Sequence, residues 1–245
     1  MKNLLRMELK RLFKKKSLYI YPLILLITPI IDAISVGERE AYVSSMTILN
    51  YYDSTMLFAI LCAGIISVFL INEEYKKGYI KNYAGLIKNK YIIPLVRFTV
   101  SSLIMVLYSV FTFVFSIVMG YVEYKKIVFA DNMLSQISYC LLWMFVGIAV
   151  IAFIHTIFEV FRSGVASYLV LFMLIFNLLE GLIIQLVALI TEKFIDKYML
   201  ICQLNYAMDE NGEFLPMWGM WLRTGIFLVI MVITGMIASK KKDVI

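Results

Sequence analysis

Long apolar runs recur from residue 18 to residue 239, broken only by short charged stretches, which is far more hydrocarbon than a soluble chain of 245 residues can bury. A bilayer offers no water to backbone amides, so every run has to be a helix that bonds its own N–H and C=O groups. The fold class that follows is all-α: a polytopic membrane protein with six transmembrane helices, at about 17–35, 53–71, 98–121, 137–158, 165–190 and 222–239. Hydrophobic residues are 62% of the chain and charged ones 16%, leaving no stretch for a separate soluble core. Residues 1–245 are therefore expected to form one domain.

The most informative interruption is Asn72 to Arg97, NEEYKKGYIKNYAGLIKNKYIIPLVR, with six basic and two acidic side chains in twenty-six residues. A helix from Glu74 to Lys88 would put Tyr75, Tyr79, Tyr83, Leu86 and Ile87 on one face and Lys76, Lys77, Lys81 and Lys88 on the other. Such a segment lies on a membrane and offers a soluble partner a polar edge. The plainer alternative is a solvated basic loop.

Residues 1–16, MKNLLRMELKRLFKKK, have the same character: Leu5, Leu9, Leu12 and Phe13 form a stripe opposite Arg6, Lys10, Arg11 and Lys14, as expected of a helix lying flat on the membrane surface. A signal peptide ending near Ala33 or Ser35 is the alternative, opposed by Pro22, Pro29 and Asp32 and by the membrane character of everything downstream. Residues 36–52 suit an outer loop. In the second span Ala59, Ala63 and Ser67 make a small-residue stripe, with Gly64 beside it, that permits close helix contact. Glu159 to Gly164 is a turn between antiparallel spans four and five. Residues 191–221 read as a short interfacial or re-entrant helix, then a turn at Asp209 to Gly212, with Trp218 and Trp221 anchoring span six. Under this layout seventeen of the twenty-three basic residues lie on one side, which assigns both termini to the cytoplasm and the chain to the cell membrane. Lipid headgroups are then a sufficient partner for the net charge of +6, and nucleic acid is not needed.

Chemistry-bearing patterns are few. No Gly-Lys dipeptide occurs, so the phosphate loop G-x-x-x-x-G-K-[ST] is absent, and the single histidine, His155, excludes a His-Glu-x-x-His zinc site. Cys62, Cys140 and Cys202 are scattered and suggest neither a zinc site nor a disulfide framework. His155, Glu159 and Arg162 suit an interfacial hydrogen-bonded cluster, with a proton relay as the alternative. Glu180 is the sharpest anomaly, because a carboxylate in mid-span costs about 2.5–3.5 kcal/mol on insertion scales. With Asn177 one turn earlier it is a candidate for lining a path or a subunit contact, as are Ala59, Ala63 and Ser67; a structural hydrogen bond is the competing role.

Two stretches carry a resemblance. One is Glu8-Leu9-Lys10-Arg11-Leu12-Phe13 with Lys14 to Lys16 before the first span; the other is Glu74-x-x-x-Gly78-x-Ile80-Lys81-Asn82, then Lys88 or Lys90, then Arg97 entering span three. They resemble the connecting and coupling helices of a permease subunit of a type-2 ATP-binding-cassette (ABC) exporter, whose six-span layout with a helical insertion before span six the chain also resembles. The resemblance implies no ATPase site and no cofactor in this chain; ATP and Mg would be held by two separate ATPase subunits. These would dock on Glu8, Arg11, Glu74, Gly78, Ile80, Lys81 and Asn82, and a second permease chain would complete the path for an amphipathic or hydrophobic cargo, such as a peptide or drug. Where the family often has a small-residue-Pro-hydrophobic-Ser-Arg turn, this chain has Gly85-Leu86-Ile87-Lys88-Asn89-Lys90. The rival readings are an ion-coupled secondary transporter using Asp32, Glu180 and His155, and a membrane scaffold or assembly factor. An intramembrane enzyme lacks an evident Ser/His, two-Asp or metal constellation.

Overall fold

The computed structural model describes residues 2–25, 27, 46–76, 92–124, 133–191, 195–207 and 215–241. Among them the chain is all-helical: α1 (Lys2–Phe13), α2 (Ser17–Leu25), α3 (Met46–Lys76), α4 (Ile92–Tyr124), α5 (Met133–Phe161), α6 (Gly164–Ile175), α7 (Leu178–Thr191) and α8 (Trp218–Lys241). Two short 3-10 turns, Asp196–Tyr198 and Cys202–Tyr206, precede α8. Four helices are long and apolar enough to cross a membrane, over Thr55–Lys76, Ile92–Met119, Leu134–Phe161 and Trp218–Ser239, and the bent pair α6–α7 makes a fifth if counted as one span.

α3 and α5 form the centre. Their apolar windows are 67% and 61% buried, against 33% for α4 and 17% for α8, so α3 and α5 are packed on most sides while α8 leaves a broad apolar face outward. That face runs through Leu222, Ile226, Val229, Ile233 and Ile237, at the spacing of one helical stripe, and suits lipid chains. The central helices approach closely where side chains are missing: a Cβ on Gly64 would come within 2.6 Å of Leu171 on α6, and one on Gly147 within 2.5 Å of Met105 on α4. α5 and α8 run in the same direction, in a register set by Phe145 on Trp221, Phe153 on Phe227, and the Thr156 hydroxyl donating to Met231 O at 2.8 Å.

Several expected boundaries shift. Residues 46–52, expected in an outer loop, are the first turns of α3, because Tyr52 is an inward residue: fully buried, its hydroxyl donates to Cys140 O at 3.0 Å and lies 3.1 Å from Ser109 Oγ. At its other end α3 carries Glu74, Tyr75 and Lys76, which were expected to open a surface helix; the remainder of that helix, with Gly78, Ile80, Lys81 and Asn82, lies outside the described residues. So do Pro29 and Asp32 of the expected first span.

The expected fifth span, 165–190, is two helices meeting at 67°. The break is at Asn177, which takes a left-handed conformation with φ 56° that asparagine tolerates better than most residues. It closes α6 by donating its N–H to Leu174 O and opens α7 by accepting from the Gly181 N–H. Arg162, with φ 54°, plays the same part after α5; Ser163 then caps α6, its Oγ accepting from the Ala166 N–H at 3.3 Å.

Candidate functional site

α1 does not lie on the bundle by its leucines alone. Leu12 is fully buried, with Leu5 and Leu9 packed beside it, but Phe13 is exposed and Arg11, expected on the outward face, turns into the bundle. Its Nη1 donates to Glu74 Oε1 at 2.8 Å and its Nη2 to Glu73 Oε2 and Leu70 O, both at 3.2 Å. Glu8, one turn back, lies 3.5 Å from the same guanidinium, and Lys15 pairs with Glu73 while sitting over the Phe69 ring. The end of α3 thus holds α1 through two adjacent carboxylates.

The cluster continues inward. Arg97, near the start of α4, donates from Nε to Glu74 Oε2 at 2.6 Å and from Nη1 to Glu159 Oε1 at 3.0 Å. Glu159 also accepts from the Tyr75 hydroxyl at 3.2 Å, and Arg162 Nη2 lies 3.4 Å from its Oε2. Both guanidiniums stack near the Tyr75 ring, Arg97 at 5.1 Å and Arg162 at 4.7 Å. Glu8, Glu73, Glu74 and Glu159 therefore face Arg11, Lys15, Arg97 and Arg162, four formal charges of each sign joining α1, α3, α4 and α5. Glu74, Glu159 and Arg97 are buried, where a lone charge would cost several kcal/mol and only multiple pairing makes ionisation tolerable.

Coordination is incomplete: Arg97 Nη2 and Arg162 Nε and Nη2 are buried without a hydrogen-bond partner among the described residues. Burial pushes the Arg162 guanidinium down from its ordinary value. Burial, and then the neighbouring Glu74, push the Glu8 carboxyl up to about 7, against the opposing pull of Arg11 and Arg97.

The other expected residues fall elsewhere. His155 is one turn before Glu159 yet turns to Ser101, 3.0 Å from its Oγ, and to the edge of Phe98. Ala59, Ala63 and Ser67 are fully buried within this chain, Ser67 bonding back to Ala63 O at 2.7 Å. Asn177 is exposed at the α6–α7 break, whereas Glu180 is buried, so the two do not share a helix face. Glu180 accepts the Ile201 N–H at 2.9 and 3.1 Å and the Cys202 N–H at 2.9 Å, tying the turn before α8 to α7. Within the stretch expected to hold a short interfacial or re-entrant helix, the described residues 195–207 form two short 3-10 turns around this carboxylate.

Near the far end of α3, Asp53 accepts from the Tyr139 hydroxyl at 2.9 Å, and the Trp143 side chain also lies against its carboxyl. Sequence reading passed over Asp53, whose position at the margin of an apolar run looked interfacial. Among the described residues, no three His, Cys, Asp or Glu side chains group as metal ligands do.

No protein-family model matches the chain, and no curated protein matches it.

Proposed function

We propose that this chain is the membrane permease subunit of an ATP-driven exporter, with α1 and the neighbouring ends of α3, α4 and α5 as the platform on which separate ATPase subunits dock. The observation that supports this reading is the ion-pair cluster binding α1 to three spans. A surface helix anchored only by leucines would slide on the bundle, whereas one held through Arg11 to Glu73 and Glu74, and through Glu74 to Arg97 and Glu159, transmits a push to α3, α4 and α5 together. ATP and Mg would belong to the docking ATPase subunits, and the cargo would be amphipathic or hydrophobic, in keeping with the apolar faces of the helices. A second permease chain would complete the path.

The purified chain should show no ATPase activity, while co-expression with its ATPase should yield a complex that hydrolyses ATP and that loses hydrolysis or assembly when Arg11 is changed to Ala. Robust hydrolysis by the lone chain would sink the proposal. Orientation has its own test: with the native cysteines replaced, new cysteines at Glu40, Asp131 and Glu210 should label from outside intact cells, and those at Lys81, Ser163 and Asp243 should not. Labelling at Lys81 from outside would place the docking platform on the wrong side.

One observation favours a second reading, an ion-coupled secondary transporter: the Asp53 carboxyl held within the bundle by the Tyr139 hydroxyl, a group of the kind that carries protons. Transport that persists without any ATPase and fails in Asp53→Asn would select it.

A further inference from the structure

At the end of the bundle opposite α1, a cavity of about 310 Å³ lies between α7 and α8 and is closed on a third side by the turn before α8. Phe153, Leu179, Ile183 and Phe227 supply an apolar wall. The polar wall is built rather than incidental: Gln203 is buried and donates to Thr224 Oγ1 at 2.9 Å and to Leu200 O at 3.0 Å, which leaves its Oε1 to receive Arg223 Nε at 3.3 Å. Arg223 is thereby held at the cavity with its two Nη groups making no hydrogen bond to the described residues. Tyr198, which lines the cavity, carries a second cation: Lys197 Nζ and the Arg223 guanidinium lie 5.3 and 5.4 Å from the centre of its ring. Glu180 is the carboxylate on this wall, and both its oxygens are already engaged by the Ile201 and Cys202 amides.

We propose that this cavity binds the headgroup of an acidic membrane lipid, its phosphate on Arg223 and Lys197 and the first part of an acyl chain along Leu179, Ile183 and Phe227. The flanking outward side chains, Leu182 and Leu186 on α7 and Leu222 and Ile226 on α8, are exposed and apolar, so the molecules that reach the cavity sideways are those dissolved in the bilayer. Arginine's fork suits a phosphate, and with Nε already spent on Gln203 the two Nη groups, which make no hydrogen bond among the described residues, are the ones that face the ligand. The volume admits a headgroup and a few methylenes, not a whole diacyl lipid. The site needs no ATPase and stands apart from the transport reading.

The test is competitive retention measured by native mass spectrometry on the full chain in neutral detergent, with equal amounts of phosphatidylglycerol and phosphatidylcholine. Wild type should keep one phosphatidylglycerol in preference to phosphatidylcholine by roughly tenfold, the worth of one charge-assisted hydrogen bond. Arg223→Gln should abolish the preference and Arg223→Lys should retain part of it, while Arg6→Gln, on the exposed face of α1, should leave it intact. Ile183→Trp, which fills the cavity and keeps the arginine, should lose the lipid, and it serves equally if Arg223→Gln does not fold. Equal retention of the two lipids by wild type, or undiminished preference in Arg223→Gln or Ile183→Trp, would overturn the site. Displacement by free glycerol phosphate would also overturn it as a lipid site and leave a phosphate site.

Discussion

Arg97→Met should lower the stability of the purified chain by about 3–5 kcal/mol, the usual cost of removing one partner from a buried ion pair. Two carboxylates depend on this side chain, Glu74 at 2.6 Å and Glu159 at 3.0 Å, and both are buried, so neither finds water when the guanidinium goes. Arg11 still reaches Glu74 and Arg162 still approaches Glu159, which limits the loss but does not replace the bridge between them. Adding Glu74→Gln to Arg97→Met should recover part of the deficit, because the double variant buries one unpaired charge fewer. Unfolding by denaturant in detergent measures both. A single-variant loss under about 0.5 kcal/mol would show that water already reaches the cluster and that it does not lock α1 to the bundle.

The second large effect belongs to Glu180→Leu. It deprives the Ile201 and Cys202 amides of their only acceptor among the described residues, at about 1–3 kcal/mol for each buried N–H left unsatisfied. Glu180→Gln keeps one acceptor oxygen and should cost less than half as much. Amide hydrogen exchange gives the local reading: protection at Ile201 and Cys202 should fall sharply in the leucine variant and partly in the glutamine variant, and change little in α8. Unchanged protection in both variants would mean that the carboxylate does not hold the turn. If export also proceeds normally in Glu180→Gln, the residue is a strut between α7 and the turn before α8 and not part of a cargo path.

What was legible in the sequence depended on the kind of partner each residue has. The spans of α3, α4, α5 and α8 were legible because hydropathy is a local property, although their ends were drawn short by several residues: Tyr52 and Glu74 look interfacial in isolation and are buried only because α4 and α5 cover them. Arg11 and Glu74 were each noticed as members of basic or charged surface segments. Their pairing, across 63 residues, has no sequence signature, so a buried carboxylate and its half-buried arginine partner were read as two exposed ions. Glu180 stood out by its cost in mid-span, but its partners are main-chain N–H groups, and every non-proline residue has one. Asn177 was read as a side chain lining a face when its importance is in the backbone; a lone asparagine within an apolar run was the available signal of a left-handed break.

The strut between α7 and the turn before α8 has a consequence for how the chain is made. Glu180 emerges from the ribosome 21 residues ahead of Ile201, the first amide it will meet. At roughly 5–20 residues per second that is about one to four seconds of synthesis in which an apolar segment carries a carboxyl whose donors do not yet exist. During that interval the local signal for a bend within residues 164–190 is the preference of Asn177 for a left-handed turn. Assembly of this region is therefore ordered by translation: the bend forms first, and the later residues lock it.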